Sequence, residues 1–493
     1  MISEVRRQHF IDGEWADASS GRTFPSINPT NAKPWYHAAE GTREDIDRAV
    51  RSARAAFEHP SWRDLTQTAR GRVLRRLADL VGEHGESLAR TEVADNGKLL
   101  REMRGQLSVI PEWLYYFAGM ADKVQGETIP GSSISILNYT LRQPIGVVGA
   151  ITPWNSPLLL TLMKLAPALA GGNTIVIKPS EHTSASLLEL MPLVLEAGIP
   201  PGVVNVVTGF GAEAGDALVR HPLVSKIAFT GGTETGRRIA AIAGERLVRV
   251  TLELGGKSPN IVFPDADLAN ASMGIVAGIF AAAGQTCVAG SRVFLHDDVY
   301  DEVLERVTAR ARAIVLGDPL ADATEIGPLA FAGHLETVAG YAQIAQDEGA
   351  TLTLGGHRRD DLGGYFFEPT IFTDVHNRMR IAQEEVFGPI LAVQRFRDED
   401  DVVARANDSR FGLAAGLWTR DLSRAHRVAS RLEAGTVWIN TYRAMAPMSP
   451  LGGVKDSGLG RENGFEVMRE YTRVKSVWVS TSDEAVPDPF VLR

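Results

Sequence analysis

The sequence predicts an α/β protein of two units, each with a parallel sheet covered by helices. Between residues 145 and 252, short apolar runs alternate with stretches of helical periodicity, as is typical of strands joined by crossover helices. A second alternation runs from residue 256 to about 440. Two β-rich segments, 132–144 and 474–479, stand outside both series, and we expect them to pair as a projecting arm.

Apolar spacing and breaker residues predict the individual elements. Pro157 suits the first turn of a helix because its missing N–H is not needed there. Parallel sheets bind ligands at the carboxyl ends of their strands, so the residues that follow each strand are the candidates for binding or catalysis. The predicted helices are 43–58, 68–90, 157–170, 183–197, 211–220, 233–243, 267–282, 298–314 and 332–348; the predicted strands are 145–151, 174–177, 203–207, 226–229, 247–252 and 291–296, with a loop at 317–328.

Composition excludes several classes of function. The chain has 493 residues, 44% of them hydrophobic and 23% charged, which suggests two to four domains at roughly 100–200 residues each. A net charge of −9 does not favour nucleic acid as a partner. The one cysteine excludes an intramolecular disulfide and fits a reducing compartment. Residues 1–15 lack the apolar block of a signal peptide, and no apolar run reaches roughly 20 residues, so we expect a cytoplasmic protein without a membrane span.

The single cysteine, Cys287, lies in a loop between a helix of small residues and a strand. Gly284 and Gly290 flank it and allow backbone to approach a ligand closely. A thiolate there is a strong nucleophile, and the backbone N–H groups of such a loop can hold an oxyanion. A buried structural thiol fits the local sequence as well, since free cysteine is among the most buried residue types.

Two further residues follow predicted strands and carry useful chemistry. Glu253 ends the last strand of the first unit, beside Gly255 and Gly256, and acts as a general base if burial raises its pKa. Asn155 lies two residues before a helix, where its amide can donate to an oxyanion. The alternatives are a surface glutamate and a helix cap.

Two loops of the first unit suit a dinucleotide. Lys178 and Glu181 follow the second strand, and such a pair can donate to and accept from ribose hydroxyls, although a solvated loop pair is equally compatible. The turn from Phe229 to Gly236, FTGGTETG, is rich in glycine and opens a helix, which suits a pyrophosphate. Its spacing differs from G-x-G-x-x-G, so it is a weak signal alone. No cluster of metal ligands has the required spacing, and we expect no metal.

Taken in order, these motifs resemble those of the aldehyde dehydrogenase superfamily, specifically its non-acylating NAD(P)-dependent enzymes. The combination of LELGGK with GQTC is highly specific, and the resemblance covers essentially the whole chain. The matching stretches are TPWNSP, KPSE, FTGGTETG, LELGGKSPNIV, GQTC, EEVFGP and SPLGGVKDSGLGRE, between residues 152 and 462.

The resemblance implies a Rossmann-like cofactor domain, an α/β catalytic domain and a small β oligomerisation arm. The corresponding boundaries are 1–124 with 145–255, 256–455, and 125–144 with 470–493. It also implies oxidation of an aldehyde to a carboxylic acid in a homo-oligomer, dimer or tetramer. Cys287 would be the nucleophile, Asn155 would hold the oxyanion, and Glu253 would activate water to hydrolyse the thioester. Glu462 is a further carboxylate to which the resemblance points.

The resemblance implies a nicotinamide cofactor, and Glu181 favours NAD over NADP because its carboxylate would repel a 2′-phosphate. Lys178 and Glu181 match the adenosine-ribose contacts, Glu385 the nicotinamide-ribose contact, and Phe387 the aromatic ring beside the nicotinamide. Gly232 stands where many members of the family have serine. The full set of implied cofactor residues is Thr152, Trp154, Lys178, Glu181, Gly231, Gly232, Gly236, Leu254, Glu385 and Phe387.

The resemblance also places the walls of the aldehyde pocket. None of these residues is aromatic or charged, which disfavours a quaternary-ammonium aldehyde. No arginine near them offers a bidentate clamp for a carboxylate, so aldehydes that carry a second carboxylate are disfavoured too, and we expect a hydrophobic aldehyde, aliphatic, terpenoid or aromatic. The wall positions are Ser156, Leu160, Met163, Thr286, Val288, Met445 and Leu451.

Three other functions remain compatible with the sequence. A CoA-acylating aldehyde dehydrogenase would pass the acyl group to CoA, although that branch typically lacks a base at the position of Glu253. A thiol esterase would use Cys287 without a nicotinamide. A binding protein that keeps only the fold would not need Cys287, Glu253 and Asn155 together.

Overall fold

Two large sheets organise the molecule, which is a computed structural model that describes residues 5–131, 133–486 and 488–491. One sheet has eight strands and the other seven, and helices cover both, so the predicted α/β fold class with a Rossmann-like unit is confirmed. Outside the described part of the chain lie residues 1–4, which belong to the stretch expected to contain no signal peptide. Residues 132, 487 and 492–493 of the predicted arm lie outside it as well.

The eight-stranded sheet contains all five predicted strands of the first unit. These five are mutually parallel, and antiparallel strands extend the sheet at both edges. The parallel arrangement brings their carboxyl ends to one edge. In spatial order the strands are Gly458–Leu459, Arg249–Glu253, Val224–Thr230, Val147–Ile151, Thr174–Lys178, Val204–Val206, His9–Ile11 and Glu14–Ala16.

Helices cover both faces of this sheet, and most lie where the apolar spacing predicts them. The stretch 68–90 is two helices rather than one: the first ends at Glu83, and the second begins at Gly85 after His84. The long helix Leu100–Met120 was not predicted; it contains Pro111, and packing of its buried apolar face stabilises it. The helices are Arg43–Glu58, Pro60–Arg63, Gln67–Glu83, Gly85–Asn96, Leu100–Met120, Pro157–Ala170, Ala185–Glu196, Asp216–Arg220 and Thr233–Glu245, with a π-helical turn Gly211–Gly215.

The seven-stranded sheet forms the second unit. All neighbouring strands are parallel except the edge strand Thr351–Leu354. Its order is Thr351–Leu354, Thr370–Thr373, Ile390–Phe396, Arg292–His296, Pro259–Val262, Ala414–Trp418 and Thr436–Ile439. Its helices are Leu268–Ile279, Tyr300–Arg312, Ala332–Asp347, Arg380–Gln383, Glu399–Asn407, Leu422–Arg431 and, towards the end of the chain, Val467–Glu470; short 3₁₀ turns occur at Ala281–Gly284, Asp297–Val299 and Asp360–Leu362.

The two β-rich segments outside both units pair with each other. Strand Thr472–Ser480 runs antiparallel to Ile136–Pro144 along the full length of both, with Thr472 opposite Pro144 and Ser480 opposite Ile136. The strand Thr128–Ile129 completes this three-stranded arm. Smaller sheets, which the sequence did not predict, join Arg6–Arg7, Lys33–Ala39 and Thr23–Asn28, and Phe411–Gly412 with Val454–Lys455.

The described residues contain no candidate membrane-spanning helix. None of their helices is both long enough and apolar enough to cross a bilayer.

Candidate active site

A cavity of about 270 Å³ opens where the carboxyl ends of the first sheet face the Cys287 loop of the second unit. Strands Val147–Ile151 and Arg249–Glu253 each end beside it, so the residues just after them face the second unit. Ten of the residues that the sequence singled out line this cavity: Trp154, Asn155, Leu160, Gly231, Gly232, Glu253, Leu254, Cys287, Glu385 and Phe387.

Glycines shape the turn that presents Cys287. Gly284 has φ of +70°, and a Cβ there would lie 2.1 Å from the carbonyl oxygen of Gly388. A Cβ at Gly256 would lie 2.6 Å from the carbonyl oxygen of Cys287. Any other residue at either position would displace the turn, so the half-buried thiol depends on both glycines.

Gln285 fixes the turn to both units. The Asn155 amide, Nδ2, donates to the carbonyl oxygen of Gln285 at 3.1 Å. The side-chain oxygen of Gln285 accepts from the backbone N–H of Ala330 at 2.9 Å. Asn155 therefore sits beside the cysteine turn and keeps a second amide N–H for another acceptor.

The thiol of Cys287 is held in its protonated form. Burial, together with the carboxylates of Glu385 and Glu253, raises its pKa to about 12. A nucleophile with this pKa needs a neighbouring base to remove its proton when it reacts.

Glu253 is a buried carboxylate with the properties of such a base. Its Oε1 atom has no hydrogen-bond partner among the described residues. Burial raises its pKa well above the usual value, and the carboxylate of Glu462 raises it as well, whereas Lys164 and Arg461 lower it. A Cβ at Gly452 would lie 2.8 Å from Oε1, so this glycine leaves room for the carboxylate.

Behind Glu253 lies a buried ion pair between Lys164 and Glu462. The ammonium of Lys164 donates to a carboxylate oxygen of Glu462 and, at 2.6 Å, to the hydroxyl of Thr230. Both charged side chains are almost completely buried. Because Thr230 and Glu253 are paired residues in adjacent strands, this network is contiguous with the candidate base.

Of the residues expected to contact riboses, Glu385 lines the cavity, whereas Lys178 and Glu181 do not. Lys178 Nζ donates to Glu181 at 3.1 Å; burial would raise the pKa of Glu181, but the ammonium lowers it overall. Glu385 accepts from the backbone N–H of Gly256 at 3.0 Å, and burial raises its pKa to about 7. A Cβ at Gly255 would lie 2.1 Å from Glu385, so a glycine is required beside this carboxylate.

The glycine-rich turn leaves open space at the start of helix Thr233–Glu245. A Cβ at Gly232 would meet nothing within 4 Å, whereas one at Gly236 would lie 2.5 Å from the side chain of Leu254. Thr152 follows strand Val147–Ile151, and its backbone N–H donates to the carbonyl oxygen of Lys178 at 3.2 Å.

A second cavity of about 260 Å³, which the sequence did not reveal, lies between Ile151, Phe229, Ile239 and the turn Gly211–Gly215.

An aromatic cluster that the sequence did not reveal covers one side of the main cavity. Phe331 stacks on His182 at 3.9 Å between ring centroids and makes an edge contact with Trp154 at 5.4 Å. His334 Nε2 donates to the carbonyl oxygen of Phe387 at 2.8 Å, and burial lowers its pKa to about 4, so the ring is neutral near pH 7. Phe331 and His334 begin a helix, and no local motif sets them apart in the sequence.

Most of the expected wall residues lie outside the main cavity, and only Leu160 lines it. Met163 is completely buried in the core of the first unit, so its side chain does not reach the open cavity. Val288 packs against Leu413, Ala414 and Trp438. Ser156 and Leu451 are buried or half-buried near Asn155 and Glu462, Thr286 lines a much smaller cavity with Glu385, and Met445 is exposed.

The expectation that no arginine near the wall positions offers a bidentate clamp for a carboxylate stays a prediction. Arg443 is two residues from Met445, and its side chain donates to the carbonyl oxygen of Ala277 at 3.3 Å. Its charge also lowers the pKa of the buried Lys98, although burial is the larger cause, and Lys98 donates to the hydroxyl of Ser156 at 3.0 Å. Sequence patterning missed both cations because their neighbours come from distant parts of the chain.

Comparisons with known proteins agree on one family. The profile of the aldehyde dehydrogenase family matches residues 15–477. A hydroxyisobutyraldehyde dehydrogenase of Mycolicibacterium austroafricanum is 48% identical over 475 residues, which are 96% of this chain and 93% of that protein. The NAD⁺ complex of an aldehyde dehydrogenase from Bacillus cereus is 46% identical, with a TM-score of 0.96 over 98% of both chains. A betaine aldehyde dehydrogenase of Staphylococcus aureus in complex with NAD⁺ is 40% identical, with a TM-score of 0.97 over 100% of this chain and 98% of that one.

The rate at which Cys287 is alkylated tests whether the pKa of its thiol is raised. Because Cys287 is the only cysteine, alkylation by iodoacetamide reports on one site. With a pKa near 12, the alkylation rate should rise about tenfold for each pH unit between about pH 7 and pH 10. Glu385→Gln removes a carboxylate that raises this pKa, and we expect it to accelerate alkylation severalfold at about pH 9.

The control is Glu384→Gln, because Glu384 pairs with Arg380 and does not line the cavity. Intact-protein mass spectrometry measures the rates. A rate that levels off by about pH 8 would contradict the raised pKa.

Proposed function

From the premise that this chain belongs to the aldehyde dehydrogenase family, we propose that Cys287, Glu253 and Asn155 oxidise an aldehyde to its carboxylic acid. The enzyme is an oxidoreductase, and its cofactor is NAD. The observation that best supports these catalytic roles is the single cavity lined by all three residues together with Glu385 and Phe387.

The residues around the cavity fit NAD. Lys178 and Glu181 would contact the adenosine ribose, and Glu385 the nicotinamide ribose. The open space at Gly232 leaves the N-terminal amides of a 13-residue helix free for the pyrophosphate. The cavity beside Gly211–Gly215 offers an apolar slot for the adenine. When bound, NAD supplies the hydride acceptor that turns a thiohemiacetal into a thioester.

The first covalent step depends on a proton transfer within the cavity. Glu253 accepts the proton of the Cys287 thiol, and the sulfur then attacks the aldehyde carbon to form a thiohemiacetal. The developing oxyanion is stabilised by the Asn155 amide and the backbone N–H of Cys287. A carboxylate with a raised pKa is a suitable acceptor because burial makes it a stronger base.

Hydrolysis of the thioester uses the same carboxylate. Once Glu253 has released to solvent the proton it took from the thiol, it accepts a proton from water, and the resulting hydroxide attacks the acyl carbon and releases the thiolate. In the adjacent ion pair, the carboxylate of Glu462 raises the pKa of Glu253 further, whereas the ammonium of Lys164 offsets part of the effect of burial. Because Glu253 is a base that can activate water, its presence favours hydrolysis of the thioester over transfer of the acyl group to CoA.

The apolar residues near the reacting atoms favour a hydrophobic aldehyde. Leu160 lines the cavity, and Val288 and Leu451 are buried or half-buried near the nucleophile and Glu462. We therefore propose that the carbon chain next to the carbonyl is apolar, aliphatic, terpenoid or aromatic. The relative from Mycolicibacterium austroafricanum is named for hydroxyisobutyraldehyde, a small substrate that keeps an apolar carbon skeleton.

The arm is proposed to join copies of the chain into a homo-oligomer. Its strands carry exposed apolar side chains, including Leu137, Leu141, Val474 and Trp478. Side chains alternate along a strand, so Val474 and Trp478 share one face of strand Thr472–Ser480. The proposed domain boundaries are those given for the sequence, and a cytoplasmic location, consistent with the lone thiol, stays a prediction.

Two substitutions separate nucleophile from base. Cys287→Ala should lower NADH formation about a thousandfold or more while NAD still quenches tryptophan fluorescence. Glu253→Gln should release about one NADH per active site in a burst and then stall at the thioester.

The matched control is Glu305→Gln, on the exposed face of a helix in the second unit. Stopped-flow absorbance measures the burst, and products are compared with and without CoA. Turnover that persists in Cys287→Ala, or an acyl-CoA product, would contradict the proposed route.

Charge at the adenosine ribose should determine cofactor choice. The wild-type enzyme is expected to have higher kcat/KM with NAD than with NADP, because Glu181 repels a 2′-phosphate. Glu181→Gln should lower the NAD-to-NADP ratio about tenfold or more. Glu196→Gln is the control, because Glu196 pairs with Arg76 at the surface. A wild-type preference for NADP would refute the ribose argument.

Assembly should depend on the apolar face of the arm. Trp478→Asp places a charge on an exposed aromatic position, and we expect a smaller species by size-exclusion chromatography with light scattering. Ser480→Asp, which adds the same charge at the end of the strand, is the control. An unchanged mass for Trp478→Asp would show that this face is not an interface.

A further inference from the structure

We propose that His334 is a positioning residue for hydride transfer, because its hydrogen bond to the backbone of Phe387 fixes the aromatic ring expected beside the nicotinamide. This inference rests on the proposed function and adds a residue to the same site. Both residues line the main cavity, and His334 acts through Phe387 rather than on the reacting atoms.

The hydrogen bond between His334 and Phe387 has only one possible direction. A carbonyl oxygen can only accept, so the contact of 2.8 Å makes Nε2 of His334 the donor. Burial lowers the pKa of His334 to about 4, so near pH 7 the ring is neutral and Nδ1 carries no proton. The single N–H of the imidazole is therefore committed to the carbonyl oxygen of Phe387.

The backbone of Phe387 needs such a partner. Its φ is +59°, in the left-handed region that a bulky residue rarely adopts. A conformation of this kind persists only where surrounding contacts hold it. His334 holds the carbonyl group, and the ring of Trp154 makes an edge contact with the ring of Phe387 at 5.2 Å between centroids. Without the donor, the peptide group of Phe387 would be free to rotate, and its ring would move with it.

Helix Ala332–Asp347 supports the whole segment that contains Phe387. Three side chains, spaced four and three residues apart along the helix, lie on one helical face and contact residues 384–388. Of these three, only His334 also lines the main cavity, so it is the contact through which the helix reaches the site. The contacts are His334 with the carbonyl oxygen of Phe387, Val338 with Gly388, and the Tyr341 hydroxyl with Glu384.

The segment that His334 supports also contacts the cysteine turn. A Cβ at Gly284 would lie 2.1 Å from the carbonyl oxygen of Gly388, which directly follows Phe387. Glu385 and Phe387 line a small cavity together with Thr286, the residue before Cys287. A shift of Phe387 would therefore change how the nicotinamide lies relative to the sulfur, and small misplacements of reacting groups slow a reaction strongly.

Binding of the cofactor without turnover provides the first test. His334→Leu removes the donor and leaves the carbonyl oxygen of Phe387 without a partner, whereas His334→Gln keeps a side-chain N–H. We expect His334→Leu to weaken NAD about fivefold or more, but to weaken ADP-ribose, which lacks the nicotinamide, less than about twofold. Quenching of tryptophan fluorescence measures both dissociation constants.

The ratio of the two dissociation constants separates positioning from general stability. His334→Gln should keep the ratio close to that of the wild type. His426→Leu is the matched control, because His426 is exposed on helix Leu422–Arg431 of the same unit. An equal loss of affinity for both ligands in His334→Leu, or no loss for either, would overturn the inference.

The rate of hydride transfer provides the second test. Stopped-flow absorbance follows the NADH burst with an aldehyde that carries hydrogen or deuterium on its carbonyl carbon. His334→Leu should slow the burst about tenfold or more and increase the isotope effect on it, because hydride transfer becomes the slow step. His334→Gln should recover most of the wild-type rate. A burst rate and an isotope effect that stay unchanged in His334→Leu would contradict the proposed role.

A measurement on the wild-type enzyme decides the matter if His334→Leu does not fold. In protein labelled with [15N]histidine and free of cofactor, the ring of His334 should show the Nε2–H tautomer and should not titrate between about pH 5.5 and pH 8. The signal that is missing from His334→Gln assigns this ring. Titration of His334 near about pH 6.5, or the Nδ1–H tautomer, would overturn the inference.

The tests also distinguish this inference from the function on which it rests. Failure of every aldehyde to produce NADH with the wild-type enzyme would overturn the proposed function. The comparison of NAD with ADP-ribose and the spectrum of the His334 ring need no turnover, and they would still decide whether His334 positions Phe387.

Discussion

The active site depends on the hydrogen bonds that hold Gln285 between the two units. Its carbonyl oxygen accepts from Asn155, which belongs to the first unit, and its side chain accepts from the backbone of Ala330, which belongs to the second. These bonds position the turn that carries Cys287 against the strand ends that carry Glu253. The nucleophile and the base come from different sheets, so their geometry is only as stable as this connection.

Burial then determines the protonation states in the cavity. It raises the pKa of the Cys287 thiol to about 12 and of the Glu385 carboxyl to about 7, and it lowers the pKa of His334 to about 4. These groups therefore carry less charge than they would in water. Lys164 and Glu462 form a buried ion pair, in which each charge compensates the other. A site of this kind stabilises an oxyanion strongly, since little water competes for its donors.

Local patterning determined the parts of the fold that depend on sequence neighbours. The alternation of apolar runs and helical stretches located the five parallel strands of the first sheet, and the family motifs identified Cys287, Glu253 and Asn155 as the candidates for catalysis. Patterning failed for helix Leu100–Met120, because its Pro111 and glycines act as breakers locally while burial of its apolar face outweighs their cost. Tertiary structure alone decided that Phe331 stacks on His182, that Met163 is buried, and that Lys98 donates to Ser156. Those contacts join residues far apart in the chain, and packing and electrostatics between distant segments leave no periodic signal in the sequence.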